Sequence, residues 1–161
     1  MNPSAVQVPW PARRKLLLAG LAAAAFPLRA ESGGLPAATA LRQHLEQALG
    51  RSQPLVVMVS LHGCPFCRIA REHYLLPLTR EQGAAVVQVD MRSAQPLRDF
   101  AGGDSTHDAQ IRAWRVRMAP TVLFFGRGGA EVAARLVGAG MPDFYGAYLE
   151  ERLATARKSL G

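Results

Sequence analysis

The two cysteines of this 161-residue chain stand together as Cys64-Pro65-Phe66-Cys67, directly after a largely apolar run from Leu55 to Leu61 and where a helix is expected to begin near Cys67. Two residues between cysteines, wound into the first turn of a helix, bring the sulfurs within bonding reach while the first sulfur still faces outward. The same turn aims unpaired backbone N–H groups at Cys64, and the helix dipole adds partial positive charge there. Both favour thiolate over thiol, and cysteines so placed have pKa values of about 3.5 to 7 instead of about 8.5. The spacing therefore casts Cys64 as a nucleophile and Cys67, one turn further in and expected to be buried, as the thiol that resolves a mixed disulfide. Pro65 suits the first turn, where a missing N–H costs little.

The opening segment reads as an export signal. Arg13, Arg14 and Lys15 form a basic stretch, Leu16 to Leu28 an apolar one, and Arg29-Ala30 offers a small residue before a cut ahead of Glu31. The apolar stretch is short and broken by Pro27, which favours removal over retention as an anchor. Arg13-Arg14 admits the twin-arginine route beside the general one, with Ala12 and Leu16 as weak flanking matches. No cysteine lies near the cut, which argues against a lipoprotein. The reading is a signal peptide over residues 1–30 and one domain over 31–161, released beyond the inner membrane of a bacterium into the periplasm.

Charge follows from that division. The whole chain carries +7, but residues 1–30 hold four basic residues and no acid, so the remainder carries +3. Its basic residues are dispersed and not interleaved with aromatics, which excludes a nucleic-acid groove. Two cysteines in an oxidising compartment cannot build a multi-bridge scaffold, so they are there to react.

The pattern along residues 31–161 alternates helices and strands. Glu31 to Gly34 is expected to be a flexible leader. Leu41, Leu45, Ala48 and Leu49 recur at helical spacing, with Gly50 as a stop. Leu55 to Leu61 reads as a central strand covered on both faces. The helix from the cysteines is expected to run towards Leu76 and to kink or end at Pro77. Ala84 to Asp90 forms a second buried strand, and Met91 to Ser105 reads as a surface loop. Ser105 or Thr106 caps a short helix through Trp114. Val122 to Phe125, a turn at Gly126 to Gly129, and Glu131 to Val137 make a hairpin. A last helix spans Pro142 to about Lys158, with Phe144, Tyr148 and Leu149 expected on its inner face. Phe124, Phe125 and Trp114 are assigned to the core. The order implies an α/β fold, a mixed central sheet flanked by helices.

That order, with a C-x-x-C between the first strand and its helix and Met118-Ala119-Pro120-Thr121-Val122-Leu123-Phe124-Phe125 leading into the terminal hairpin and Gly138, resembles the thioredoxin superfamily over most of residues 36 to 158. The resemblance implies a thioredoxin-like fold. It also implies a cis peptide at Pro120 lying against the active-site disulfide, which leaves the backbone of Ala119 to pair with an extended substrate segment. Pro65-Phe66 differs from the Gly-Pro of thioredoxin and is closer to the Pro-aromatic pair of glutaredoxins and of some periplasmic disulfide isomerases. Gly63 stands where thioredoxins carry tryptophan, and Met58 where they bury an acid that moves protons to the resolving thiol. Proton handling must then use water or another group.

The same residues admit other readings. The cysteine pair with His44, His62, His73 or His107 raises a zinc or copper site, but structural zinc needs four ligands. Haem attachment needs histidine where Arg68 stands. A purely structural disulfide would close too short a loop to stabilise much. His62 and Arg68 each either favour the Cys64 thiolate or simply face solvent, His73 and Tyr74 are assigned to packing or exposure, and Phe66 is expected to be exposed. The leading reading is an exported thiol:disulfide oxidoreductase with catalytic Cys64 and Cys67, substrate contacts at Ala119 and Pro120, no metal and no organic cofactor. Its partners are protein thiols and disulfides and a membrane redox protein, and it acts as a monomer. A stable thiolate would make it an oxidant, whereas a stable disulfide would make it a reductant. The absence of an evident dimerisation segment sets isomerase last. The alternative is a metal-binding or redox-inactive interaction module using the same cysteine pair.

Overall fold

The structure, a computed structural model, describes Met1 and residues 34–139 and 142–161. The expected signal peptide and residues 31–33 of the expected leader lie outside the described residues. The architecture below is that of the unit 31–161.

Strand β1 (Leu55–Ser60) is buried along its whole length. The physical cause is that it lies inside a four-stranded sheet of order β2 (Ala85–Asp90), β1, β5 (Thr121–Phe125), β6 (Glu131–Val137), covered on both faces. Its even-numbered residues Val56 and Met58 join Val122 and Phe124 in one core layer. The odd-numbered Leu55, Val57 and Val59 join Val87, Val89, Leu123 and Phe125 in the other. This is the two-residue period of a strand resolved onto two separate cores. Strand β2 (Ala85–Asp90) runs parallel to β1. Strand β5 (Thr121–Phe125) runs antiparallel to it, and β6 (Glu131–Val137) antiparallel to β5. The sheet is therefore mixed, as the sequence implies.

Helix α1 (Leu41–Leu49) covers the odd face with Leu41, Leu45 and Ala48. The even face is covered by the helical stretch after the cysteines and by the last helix, α5 (Pro142–Lys158). Pro77 does not end that stretch. It continues from α2 (Pro65–Ile69) through a π-helical segment (Ala70–Leu75) into α3 (Leu76–Gln82). Pro77 has no N–H to continue the ladder, and the wider turn just before it makes room for its ring. The true stop is Gly83 at φ +62°, a left-handed cap.

The expected inner face of α5 also needs correction. Leu149 is buried, but Phe144 and Tyr148 are 58% and 42% exposed, and Tyr145, Leu153 and Ala156 pack inward instead. One residue of phase separates Phe144 from Tyr145, and both are aromatic, so periodicity alone did not choose between them.

Met91 to Ser105 is not a plain loop. It contains a small hairpin, β3 (Pro96–Arg98) and β4 (Asp104–Thr106). Asp99 closes the turn, its carboxylate accepting the Gly103 N–H at 2.8 Å, and Leu97 is buried against the odd-face core. Three-residue strands are too short to display a period. Thr106 caps α4 (His107–Ala113) by accepting the Ala109 N–H at 3.2 Å. Beyond it, Trp114, Phe100 and Phe125 stack, and Gly129 at φ +75° lies so close to Phe100 that a Cβ there would meet the ring at 2.6 Å.

Where chain 36–38 runs beside β2, the ladder is made partly by a side chain. Gln88 N–H donates to the Pro36 carbonyl and Ala38 N–H to the Gln88 carbonyl, each at 2.8 Å. The next rung is a ring. Asp90 N–H donates to His107 Nδ1 at 3.1 Å, and His107 Nε2 donates to the Ala38 carbonyl at 2.9 Å. His107 is fully buried, so the imidazole keeps both backbone groups satisfied where the strands diverge. Among the described residues, no helix is long and apolar enough to cross a membrane.

Candidate functional site

The topology gathers one end of the sheet. Because β1 and β2 are parallel, Ser60 pairs with Asp90 at their carboxyl ends; because β5 is antiparallel, Val59 pairs with Thr121 at its amino end. The segment leaving β1 thus has the end of β2 on one flank and the Ala119-Pro120 step on the other. Gly63, at φ +72°, turns the chain from β1 into the helix, and Cys64 N–H donates to the Leu61 carbonyl at 3.2 Å.

Cys64 is the N-cap. Its sulfur accepts the Cys67 backbone N–H at 3.1 Å, and Pro65 fills the first helical position. The two cysteines form a disulfide with Cα atoms 5.3 Å apart. Cys67 is fully buried in the even-face core, whereas Cys64 is partly exposed. The helix that carries them is anchored by Cys67, Ala70, Leu75 and Leu78 against the sheet, which holds the outer sulfur at a rigid helix start.

On the other flank, the Ala119–Pro120 peptide is cis. The loop is pinned on both sides: Thr121 Oγ1 donates to the Met118 carbonyl and Gly138 N–H to the Pro120 carbonyl, each at 2.8 Å. Among the described residues, none hydrogen-bonds the backbone of Ala119. Ala119 and Cys64 pack on the edge of one core cluster, while Met118 and Phe66 are 56% and 55% exposed. An extended polypeptide laid along Ala119 would find open backbone groups to bond.

Met58 occupies a fully buried place in the even-face core. Behind the helix, Tyr145 packs its ring 4.8 Å from that of Tyr74. Burial, and secondarily the Tyr74 neighbour, pushes the Tyr145 phenol well above its ordinary range, so it stays protonated. His62 is exposed beside Cys64, His73 is exposed, His44 is half-buried, and His107 serves the strand ladder. Among the described residues, no three of His, Cys, Asp and Glu come together to hold a metal.

One part of the site went unread in the sequence. A cavity of about 720 Å³ opens beside Cys64 on the β2 flank, lined among others by Ser60, Arg68, Arg71, Gln88, Asp90 and Arg92. Arg71 donates to Gln88 Oε1 at 3.0 Å and to Ser60 Oγ at 3.3 Å, and Gln88 Nε2 donates to Asp90 Oδ1 at 2.8 Å. A signal existed for half of it, since Arg68 and Arg71 follow Cys64 by one and two helical turns and so share its face. Gln88, Asp90 and Arg92 carried none, because only strand pairing brings them near.

Among solved structures, the chain is similar to the periplasmic thioredoxin SoxS of Paracoccus pantotrophus, with 24% identity, 65% of this chain and 99% of that one covered, and a TM-score of 0.43. It is also similar to thioredoxin O2 of Arabidopsis thaliana, with 21% identity over 71% and 93% of the chains and a TM-score of 0.44. Mitochondrial thioredoxin 3 of Saccharomyces cerevisiae gives 15% identity, 74% and 93% coverage and a TM-score of 0.49. No curated protein matches the chain. A family model described as a thioredoxin-like domain matches residues 41–152, from the first turn of α1 into α5. With the mixed sheet, the bonded cysteines at the helix start and the proline step all inside that span, the chain belongs to the thioredoxin-like domain family.

Proposed function

We propose that the protein is an exported thiol:disulfide oxidoreductase. The observation that carries this reading is the asymmetry of one bonded pair: a partly exposed Cys64 sulfur receiving a backbone N–H at a helix start, and a fully buried Cys67 beneath it. In the reducing direction the Cys64 thiolate attacks a partner disulfide, one S–S bond breaks as another forms, and the first partner sulfur leaves as a thiolate that takes a proton. Cys67, deprotonated, then attacks the Cys64 sulfur of the mixed disulfide, releasing the second partner thiol. Two electrons have passed to the partner, and the protein holds the Cys64–Cys67 disulfide. The oxidising direction is the same sequence reversed.

Pro120 and the backbone of Ala119 hold the partner polypeptide, and exposed Phe66 and Met118 add apolar contact. The chemistry needs no organic cofactor. The basic stretch and apolar segment within residues 1–30 support export to the periplasm, where a membrane redox protein would restore the working state. The protein acts as a monomer.

The test is Cys64→Ser. Reduction of insulin, and oxidation of a reduced test protein, are expected to fall to background; either rate surviving at its full value would overturn the assignment.

A further inference from the structure

The geometry points to a carboxylate-binding subsite in the cavity beside Cys64, formed by Arg68, Arg71 and Arg92, which selects disulfides that carry negative charge next to the reacting bond. It rests on the exchange function proposed above and names the substrate class of that site. Among the described residues, three arginines line the cavity with a single acid, Asp90. Among the described residues, none of the three pairs with a carboxylate. Asp90 lines the same cavity, one carboxylate oxygen accepting from Gln88 Nε2 at 2.8 Å, and its single negative charge offsets one of the three positive ones. The next acid along, Asp108, is taken by the Arg112 guanidinium and by the Arg92 backbone N–H at 2.8 Å. That second bond holds Arg92 at φ +58°, a left-handed conformation at the cavity rim.

Arg71 is placed by neutral partners. Ser60 Oγ and Gln88 Oε1 orient its guanidinium without cancelling its charge, which leaves the cavity with a net positive field. Guanidinium groups match carboxylates bidentately, and the three residues that carry them line the same cavity as the partly exposed Cys64. The parallel pairing of β1 with β2 puts this subsite on the flank of β1 opposite Ala119-Pro120. A bound disulfide would present one sulfur to the Cys64 thiolate while its carboxylate rests among the arginines. Its S–S bond breaks, and the half not bonded to Cys64 leaves as a thiolate.

The experiment compares exchange rates with two small disulfides of similar size, dithiodiglycolate, which is dianionic, and cystamine, which is dicationic. Wild-type protein is expected to prefer the anionic one, and Arg68→Gln with Arg92→Gln is expected to shrink the rate ratio by about tenfold. Because any effect on Cys64 itself acts on both rates, it cancels in the ratio. Both arginines are exposed, so the substitutions leave the core intact. The same comparison with cystine peptides flanked by Asp or by Lys assigns the source: preference in the small pair alone indicates small-molecule disulfides, and preference in the peptide pair indicates an acidic polypeptide. No charge preference in either pair would overturn the subsite.

A binding arm separates this from the functional reading. Cys64→Ser with Cys67→Ser, which cannot exchange, is titrated with dithiodiglycolate and followed by amide shifts at residues 60–71 and 88–93. Saturable shifts that vanish when Arg68 and Arg92 are also replaced support the subsite even if exchange fails, whereas their absence in a protein whose parent exchanges normally overturns the subsite alone.

Discussion

The backbone N–H of Cys67 points at the sulfur of Cys64 from 3.1 Å. Because Cys67 is buried in the core beneath the helix, this donor is expected to keep its place when the disulfide opens. An anionic sulfur at Cys64 would keep that hydrogen bond and the helix dipole, and Cys67 would remain shielded. In the reduced protein at pH 7, Cys64 is therefore expected to react with iodoacetamide at least about tenfold faster than Cys67. Peptide mass spectrometry of a timed reaction measures both, and equal rates would contradict the assignment of nucleophile and resolver.

His107 is a structural rung whose loss should be expensive. His107→Leu keeps the volume roughly constant but strips the partners from Asp90 N–H and the Ala38 carbonyl, both of them satisfied by the ring. A buried backbone group left without a partner costs about 1–3 kcal/mol. Urea unfolding is expected to show a loss of about 3 kcal/mol. A loss below about 0.5 kcal/mol, the range of an ordinary surface change, would mean the strands close the gap themselves.

His44 should make stability fall in mild acid. Burial lowers its pKa below the ordinary 6.5, and its Nε2 accepts the Thr39 N–H at 3.4 Å, a bond only the neutral ring can make. As pH drops below 6.5 the unfolded chain takes this proton before the folded one does, so the unfolding free energy declines until the folded form is also protonated. Above 6.5 the group contributes no slope. His44→Gln is expected to flatten the pH dependence of the urea midpoint below the ordinary histidine value of 6.5 relative to wild type. Identical slopes in the two proteins would rule out His44 as the source.

Much of the fold was legible because its signals are local. The largely apolar run of β1 announced a strand covered twice, Ser105-Thr106 announced a cap that Thr106 supplies, and Cys64-Pro65-Phe66-Cys67 announced a helix start. Each depends on residues within a turn or a strand length of one another. The failures share a cause as well. By its local effect Pro77 kinks or ends a helix, and it does not end this one: packing of Leu75 and Leu78 into the core accompanies a wider turn that carries the helix past it. The hairpin at 96–106 is held by Asp99, Leu97 and bonds from Arg42, whose guanidinium reaches the carbonyls of Phe100 and Ala101 from a helix far away in sequence.

The candidate site divides in the same way. Residue identity alone placed two sulfurs at one helix start, since a helical turn brings positions 64 and 67 together wherever that helix lies. Only the folded sheet decided what stands around them. Parallel pairing of β1 with β2 carries Gln88, Asp90 and Arg92 to one flank of Cys64, and antiparallel pairing with β5 carries Ala119 and Pro120 to the other. Strand order and direction are settled by burying both faces of one sheet at once, and no short stretch of sequence contains that choice.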